Sequence, residues 1–277
     1  MTTETITRYI RYAGADGVPH HGILEGETIR ELEGDIFTDA KPTGNTANLA
    51  DVKLLTALDP YNIRKVLGIA GNYTLPGMKR LVPHGRWFCK MPTSLNAHEG
   101  EIEVPPDVTN FNFEGELVLV IGKEGRHISV EDAPSYIWGV TVGNDYSEND
   151  WTREEGTESR FISKGTDSWA ALYHTIVKGM DYSDLQIEIR LNGELGTRGR
   201  TPDMVCKPAY LVSYISHFIT LEPGDVIYTG TVAPQSLPGT RKQLRPGDVV
   251  EVEIEGIGTL VNTMVPFPGD EPDLLAN

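Results

Sequence analysis

The segment Phe113-Glu114-Gly115-Glu116-Leu117-Val118-Leu119-Val120-Ile121-Gly122-Lys123 limits what this chain can fold into more than any other. Leu117 to Ile121 is an unbroken apolar run, rich in β-branched residues and closed by Gly122, which reads as a buried strand. Two carboxylates stand at its head, spaced i, i+2. In a strand that spacing puts both side chains on one face. Like charges beside a buried strand are unfavourable without compensation, and a cation is the usual compensation. Taken alone, the pair also fits two solvated glutamates at the mouth of an edge strand.

The chain has 277 residues, enough for one large domain or for a large domain and a small one. Its net charge of −16 argues against nucleic-acid partners and anionic membrane surfaces. An anionic substrate would therefore need local positive charge, from a metal or from a few placed lysines or arginines. The two cysteines, Cys89 and Cys206, form no C-x-x-C pattern, no secretory signal precedes them, and no apolar run approaches a membrane span. The expectation is a reduced, cytoplasmic protein.

Prolines and glycines in short clusters predict many turns and a strand-rich chain. Residues 1–60 read as a small β-rich N-terminal domain, with strands over 5–12, 21–26 and 28–32, a polar loop over 34–50, and His20 and His21 at the surface. Residues 61–277 read as the catalytic domain, ending in an acidic, proline-rich tail over 266–277. Within it, 64–71 reads as a second buried strand ending in Gly71-Asn72-Tyr73. Residues 74–87 read as an irregular lid carrying His84 and Trp87. Ser129 to Asp132 has a capping-box pattern opening a short helix. Residues 138–143 form a strand that brings Asn144-Asp145 to its end, and 147–158 read as a polar loop or short helix over the site. Asn192-Gly193 predicts a hairpin turn. Pro208 fits the first turn of a helix with Leu211, Tyr214, Ile215 and Phe218 on one face. Pro223-Gly224 and Pro246-Gly247 predict two type II turns.

Asp145 joins Glu114 and Glu116 as a third carboxylate. Three carboxylates with no His or Cys pattern nearby are a hard-oxygen set suited to Mg²⁺, Mn²⁺ or Ca²⁺ and unsuited to Zn²⁺. About three octahedral positions would stay open for water and for two oxygens of a 2-oxo acid or a 1,3-dicarbonyl. Lys164 would stabilise a developing enolate or hold a substrate carboxylate; as an isolated lysine it also fits a surface residue. Asp167 would orient it, or is a turn residue. Backbone N–H groups of Thr229-Gly230-Thr231 would receive a carboxylate.

Together these residues resemble the fumarylacetoacetate hydrolase family. The matching pieces occur in order over about 66–265: Gly71-Asn72-Tyr73; Phe88 and Lys90; Phe113 to Lys123; Val142-Gly143-Asn144-Asp145-Tyr146-Ser147; Lys164 with Asp167; Asn192-Gly193-Glu194; and Leu221 to Thr231. The resemblance implies an α+β, mostly β fold: a mixed β-roll or sandwich-like core with short helices and a small N-terminal domain. It implies a homodimer, a metal on Glu114, Glu116 and Asp145, usually Mg²⁺, and Lys164 in the active site. Tyr73, Lys90, Asp167 and Thr231 are the implied substrate-binding residues. Family activities are hydrolytic C–C cleavage of β-diketo acids, decarboxylation of 2-oxo dicarboxylates, and isomerisation or tautomerisation of related enols, all passing through an enolate.

The chain departs from the family pattern in one respect that bears on the reaction. Hydrolytic and decarboxylating members often carry a lid His and Glu, and in hydrolysis the His serves as general base on water, oriented by the Glu; Pro76 and Lys79 stand at those positions here. Asn149 replaces a family arginine, and Val232-Ala233-Pro234 replaces a Pro-x-Gly. The leading expectation is a metal-dependent hydrolase of C–C bonds in a small 2-oxo or 1,3-dicarbonyl acid, with His84 as acid/base. The alternative is an isomerase, tautomerase or decarboxylase, which needs no activated water, and a third reading is a non-catalytic binder of metal and oxo acid.

Overall fold

The computed structural model describes residues 5–73, 86–151, 160–232 and 243–269; Pro76, Lys79, His84 and most of the expected lid lie outside them. The strand at the head of the argument forms as Gly115–Ile121, and all of its residues are buried. Both faces are apolar, which explains why the sequence shows no alternation. Leu117, Leu119 and Ile121 enter one core, and Val118 and Val120 enter another.

This strand pairs antiparallel with Ile137–Asp145 on one side and Val226–Tyr228 on the other. Val226–Tyr228 runs parallel to Val66–Ala70, which pairs with Arg86–Lys90 at the end of the sheet. On the opposite flank Ile137–Asp145 meets Thr175–Lys178, and that strand pairs with Thr7–Ala13. Pro19–Glu25, Thr28–Glu33 and Lys41–Asn48 follow as an antiparallel meander. The N-terminal strands therefore continue the main sheet.

Lys41–Asn48 corrects the loop expected over 34–50. Nearly all of its side chains are exposed, so no burial pattern marks it in the sequence. It is held by backbone pairing to Thr28–Glu33 and by bonds from Thr43 Oγ1 (2.9 Å) and Asn45 Nδ2 (3.0 Å) to Glu31 Oε1. His21 is also not a free surface residue. Its ring is largely covered, and burial, then Arg11, push its pKa down to about 4.

A second sheet of five strands covers the Leu117 face: Glu194–Arg200, Gln186–Leu191, Val249–Ile254, Gly258–Pro266 and Glu101–Val104. The Asn192-Gly193 hairpin has φ of 53° and 80°, both positive as a tight two-residue turn requires. Both Pro-Gly turns close as expected, with Asp225 N donating to Glu222 O and Asp248 N to Arg245 O, each at 3.0 Å. The Asp carboxylate of each turn also accepts from the first N–H, Glu222 N at 2.8 Å and Arg245 N at 2.9 Å. The helix Pro208–Ser216 buries Leu211 and Ile215, but Phe218 lies beyond its end and is 64% exposed, so the apolar periodicity overran the helix. The Ser129 cap forms, Asp132 N donating to Ser129 Oγ at 3.0 Å, and leads into a 3₁₀ turn, Ala133–Tyr136. Cys89 and Cys206 are free thiols. No helix among the described residues is long and apolar enough to cross a membrane.

Candidate active site

The antiparallel register between the two central strands places Glu116 opposite Gly143 and Gly115 opposite Asn144. Just past the paired ends, Asp145 N donates to Glu114 O at 2.9 Å, and Glu114 N donates to Asn144 Oδ1 at 2.8 Å. Glu114, Glu116 and Asp145 thus come from adjacent strands to one face, and their ligand oxygens lie within 4.8 Å of one another. Gly143 is required on that face: a Cβ there would stand 2.5 Å from both Tyr228 Cε1 and Val118 Cγ2.

Two lysines reach the cluster. Lys164, on the short helix Arg160–Gly165, donates to Glu114 Oε2 (2.7 Å), Asp145 Oδ2 (2.6 Å) and Ser147 Oγ (2.5 Å). Its ammonium also sits 4.6 Å from the centre of the Phe88 ring, a cation–π contact. Lys90 donates to Asp145 Oδ1 and, at 3.0 Å, to Tyr146 O. Glu116 meets no lysine among the described residues; its Oε2 accepts from Gly230 N at 2.6 Å. Gly230 has φ of 95°, and the turn is stapled by Asn72, whose Nδ2 donates to Thr229 O (2.8 Å) and Cys206 O (2.9 Å) while its Oδ1 accepts from Cys206 N (2.7 Å).

The electrostatics divide the site. Burial favours the neutral form of every group here, and each pKa direction shows whether partners overcome it. For Asp145 they do: Lys164 and Lys90 together outweigh burial and hold its pKa below the usual value. For Lys164, Asp145 and Glu114 outweigh burial and raise its pKa. For Lys90 burial prevails over Asp145 and lowers it. Burial raises Glu114 to about 6 against the pull of Lys164. Glu116 is pushed well above its usual value by burial, then by Asp145 and Glu114. Among the described residues three carboxylates share two ammonium groups, and the shortfall falls on Glu116, 1% exposed. A divalent cation fits this donor set: oxygen ligands only, converging, and one positive charge short.

Of the other residues singled out in the sequence, the Tyr73 hydroxyl and Thr231 Oγ1 are buried without a hydrogen-bond partner among the described residues. Burial, then Glu116 and Asp203, raise the Tyr73 pKa, which places the phenol within electrostatic reach of the cluster. Asp167 is exposed and is not among the partners of Lys164. His84 lies outside the described residues. Sequence reasoning missed Ser147, and it gave the Thr229-Gly230-Thr231 N–H groups a carboxylate to receive without naming Glu116 as that carboxylate. Ser147 had a signal, lying i+2 from Asp145; the Glu116–Gly230 contact spans 114 residues and had none. A cavity of about 650 Å³ lined by His21, Phe37, Ile63, Arg64 and Glu222 holds none of this chemistry, since it opens where Val66–Ala70 and Val226–Tyr228 begin, away from Gly230.

An open β-sheet stacked on a second sheet, with a buried three-carboxylate centre answered by Lys164 at its open side and Lys90 behind it, defines a mostly β protein with a donor set that fits a hard cation. Residues 65–265 match the fumarylacetoacetate (FAA) hydrolase C-terminal family and residues 7–56 match the Rv2993c-like N-terminal family. The chain belongs to the fumarylacetoacetate hydrolase family. It is 36% identical over 184 residues to a Homo sapiens mitochondrial oxaloacetate tautomerase, and 38% identical over 181 residues to an Escherichia coli bifunctional isomerase/decarboxylase of 4-hydroxyphenylacetate degradation. Each match covers 64% of this chain but only 58% and 41% of those proteins, respectively. The solved structure of a 2-hydroxyhepta-2,4-diene-1,7-dioate isomerase from Mycobacterium marinum matches with a TM-score of 0.83 at 32% identity, covering 95% of this chain and 100% of that one.

Proposed function

We propose that this protein is a divalent-metal-dependent isomerase or tautomerase of a small 2-oxo dicarboxylic acid. The observation that carries the reading is the fixed Lys164 ammonium between Glu114 and Asp145 at the exposed side of a buried carboxylate centre. Pro76 and Lys79, standing where water-activating members have His and Glu, favour a reaction that consumes no water. Relatives described as tautomerase and isomerase support the same class.

A cation on Glu114, Glu116 and Asp145, Mg²⁺ in this reading with Mn²⁺ or Ca²⁺ as alternatives, would supply Lewis-acid polarisation of the substrate oxygens. Lys164, held by Glu114 and Asp145, offers fixed positive charge to a developing enolate or to a substrate carboxylate. The hydroxyls of Tyr73 and Thr231, which meet no partner among the described residues, are donors for substrate oxygens. His84 is the proposed carrier of the proton that leaves carbon and returns to oxygen. A cytoplasmic homodimer, with residues 1–60 as its N-terminal unit, completes the reading.

C–C hydrolysis is the second reading, favoured by the match to a family described as FAA hydrolase. Mass spectrometry in H₂¹⁸O with Mg²⁺ separates the two, using oxaloacetate, acylpyruvates and unsaturated 2-oxo dicarboxylates as substrates. One product of unchanged mass, with no enzyme-dependent ¹⁸O in a carboxylate, supports isomerisation. Two products, one carrying ¹⁸O in a new carboxylate, would establish hydrolysis, and CO₂ loss would establish decarboxylation. Binding without turnover would leave a non-catalytic binder. His84→Ala should lower turnover strongly at unchanged metal affinity; unchanged turnover would remove His84 from the mechanism.

A further inference from the structure

We propose that Lys90 is a positioning residue, whose buried ammonium fixes the turn from Asp145 to Ser147 so that Asp145 Oδ2 and Ser147 Oγ are presented to Lys164. The proposal rests on the reading that Glu114, Glu116 and Asp145 form the reactive centre. Lys90 ends the strand Arg86–Lys90, and strand alternation puts it on the same face as Phe88, which lies under the Lys164 ammonium. Its side chain is 0% exposed, against 7% for Lys164 and 20% for Glu114. Lys90 therefore stands behind the cluster, and Lys164 and Glu114 stand at its open side.

The Lys90 ammonium binds two consecutive residues, Asp145 through Oδ1 and Tyr146 through its carbonyl. One bond sets the rotation of the Asp145 carboxylate and the other sets the peptide that follows. The remaining oxygen, Oδ2, is thereby turned to Lys164 at 2.6 Å. Ser147 accepts from the same Lys164 ammonium at 2.5 Å and donates back to Asp145 O at 3.1 Å, closing the turn. A neutral side chain of similar length would fill the same space. It would leave Asp145 buried against two other carboxylates with one lysine instead of two, held through Oδ2 by Lys164 with its Oδ1 released from Lys90. With no exposed surface and both bonds directed at the Asp145 turn, Lys90 acts on the substrate through Asp145 and Lys164, in place of the direct substrate contact expected from the sequence.

The first test uses the wild-type protein. Lysine NH₃⁺ signals are followed by ¹H–¹⁵N NMR in the Mg²⁺-loaded protein during titration with oxalate, a planar dianion resembling a 2-oxo-acid enolate. The Lys164 signal should shift, and the Lys90 signal should stay in place and exchange slowly. A Lys90 shift as large as that of Lys164 would overturn the proposal. In the second test, Lys90→Met should bind Mn²⁺ within about threefold of wild type, since all three carboxylates remain and a positive charge is gone. Its Mn²⁺ electron paramagnetic resonance line shape should change. With oxaloacetate, kcat for enol–keto interconversion should fall about 10–100-fold while KM moves less than about threefold. An unchanged line shape, or a raised KM at unchanged kcat, would overturn the proposal. A wild type that binds no Mn²⁺ would overturn the reading of the centre and this proposal with it. A wild type that binds Mn²⁺, with a Lys90→Met spectrum identical to it, would overturn this proposal alone.

Discussion

Lys164 Nζ stands 2.6 Å from Asp145 Oδ2, and the pair shifts each partner toward its charged form: the lysine pKa rises and the aspartate pKa falls, although burial disfavours both charges. Glu116, 1% exposed and bonded to the Gly230 N–H but to no lysine among the described residues, is pushed well above its usual value by burial, then by Asp145 and Glu114. The site therefore sets a pair that favours its charged forms beside one carboxylate that meets no counter-charge among the described residues.

Glu116→Gln keeps the shape and the bond from Gly230 N but removes the uncompensated charge. Affinity for Mg²⁺ by isothermal calorimetry should fall at least 10–100-fold. The metal-free variant should melt above the metal-free wild type at pH 7, because a carboxylate with a raised folded-state pKa destabilises the fold when ionised. A lower melting temperature would show that Glu116 is stabilising without a cation, contrary to its raised pKa.

Lys164→Met removes three hydrogen bonds and the only cation shared by Glu114 and Asp145 among the described residues. Turnover should fall about 10²–10³-fold, the range for losing a fixed electrostatic stabiliser. Metal affinity should be retained or increased, since the carboxylates remain. A variant with full turnover would place the charge stabilisation elsewhere.

Asn72→Ala should destabilise the protein by about 2–4 kcal/mol, because it breaks three bonds of a side chain 2% exposed and leaves the Thr229 and Cys206 backbone groups unsatisfied. Urea unfolding measures this. Asn72 also braces Gly230, whose N–H holds Glu116, so metal affinity should fall with stability; a loss of stability at constant affinity would separate the brace from the site.

Acid should destabilise the protein through two histidines. Burial pushes His174, packed against His98 and Tyr173, down to about 3, and pushes His21 down to about 4. The unfolded chain protonates these rings near pH 6.5, and the folded chain only far below it. Their contribution is complete above pH 6.5 and is lost as pH falls, over 6.5 to about 4 for His21 and 6.5 to about 3 for His174. At about 1.4 kcal/mol per pH unit for each group, the loss at pH 5.5 is about 3 kcal/mol. His174→Asn should remove about half of that pH dependence in urea unfolding curves; an unchanged slope would assign the acid sensitivity to other groups.

The carboxylate centre was legible because it depends on local rules. The i, i+2 spacing of Glu114 and Glu116 fixes their face, and Asp145 closes the neighbouring strand. The Asn192-Gly193, Pro223-Gly224 and Pro246-Gly247 turns were legible for the same reason, each needing a glycine at positive φ. What escaped depends on contacts between distant segments. Lys90 was reached only through the family resemblance, as a substrate contact; no local sign shows that it points to Asp145, 55 residues away. Lys41–Asn48 carries no burial pattern, because its partner supplies only backbone bonds and one carboxylate. Phe218 extended the apolar spacing of its helix past the point where the helix stops.

The pairing of Thr7–Ala13 with Thr175–Lys178 bears on how the gene can be cut. A fragment trimmed to residues 65–265, the stretch that carries Glu114, Glu116 and Asp145, would start life with a naked β-edge along Thr175–Lys178. Bare edges recruit other strands, so the leading segment serves the remainder as insulation against self-association, quite apart from any part it takes in chemistry.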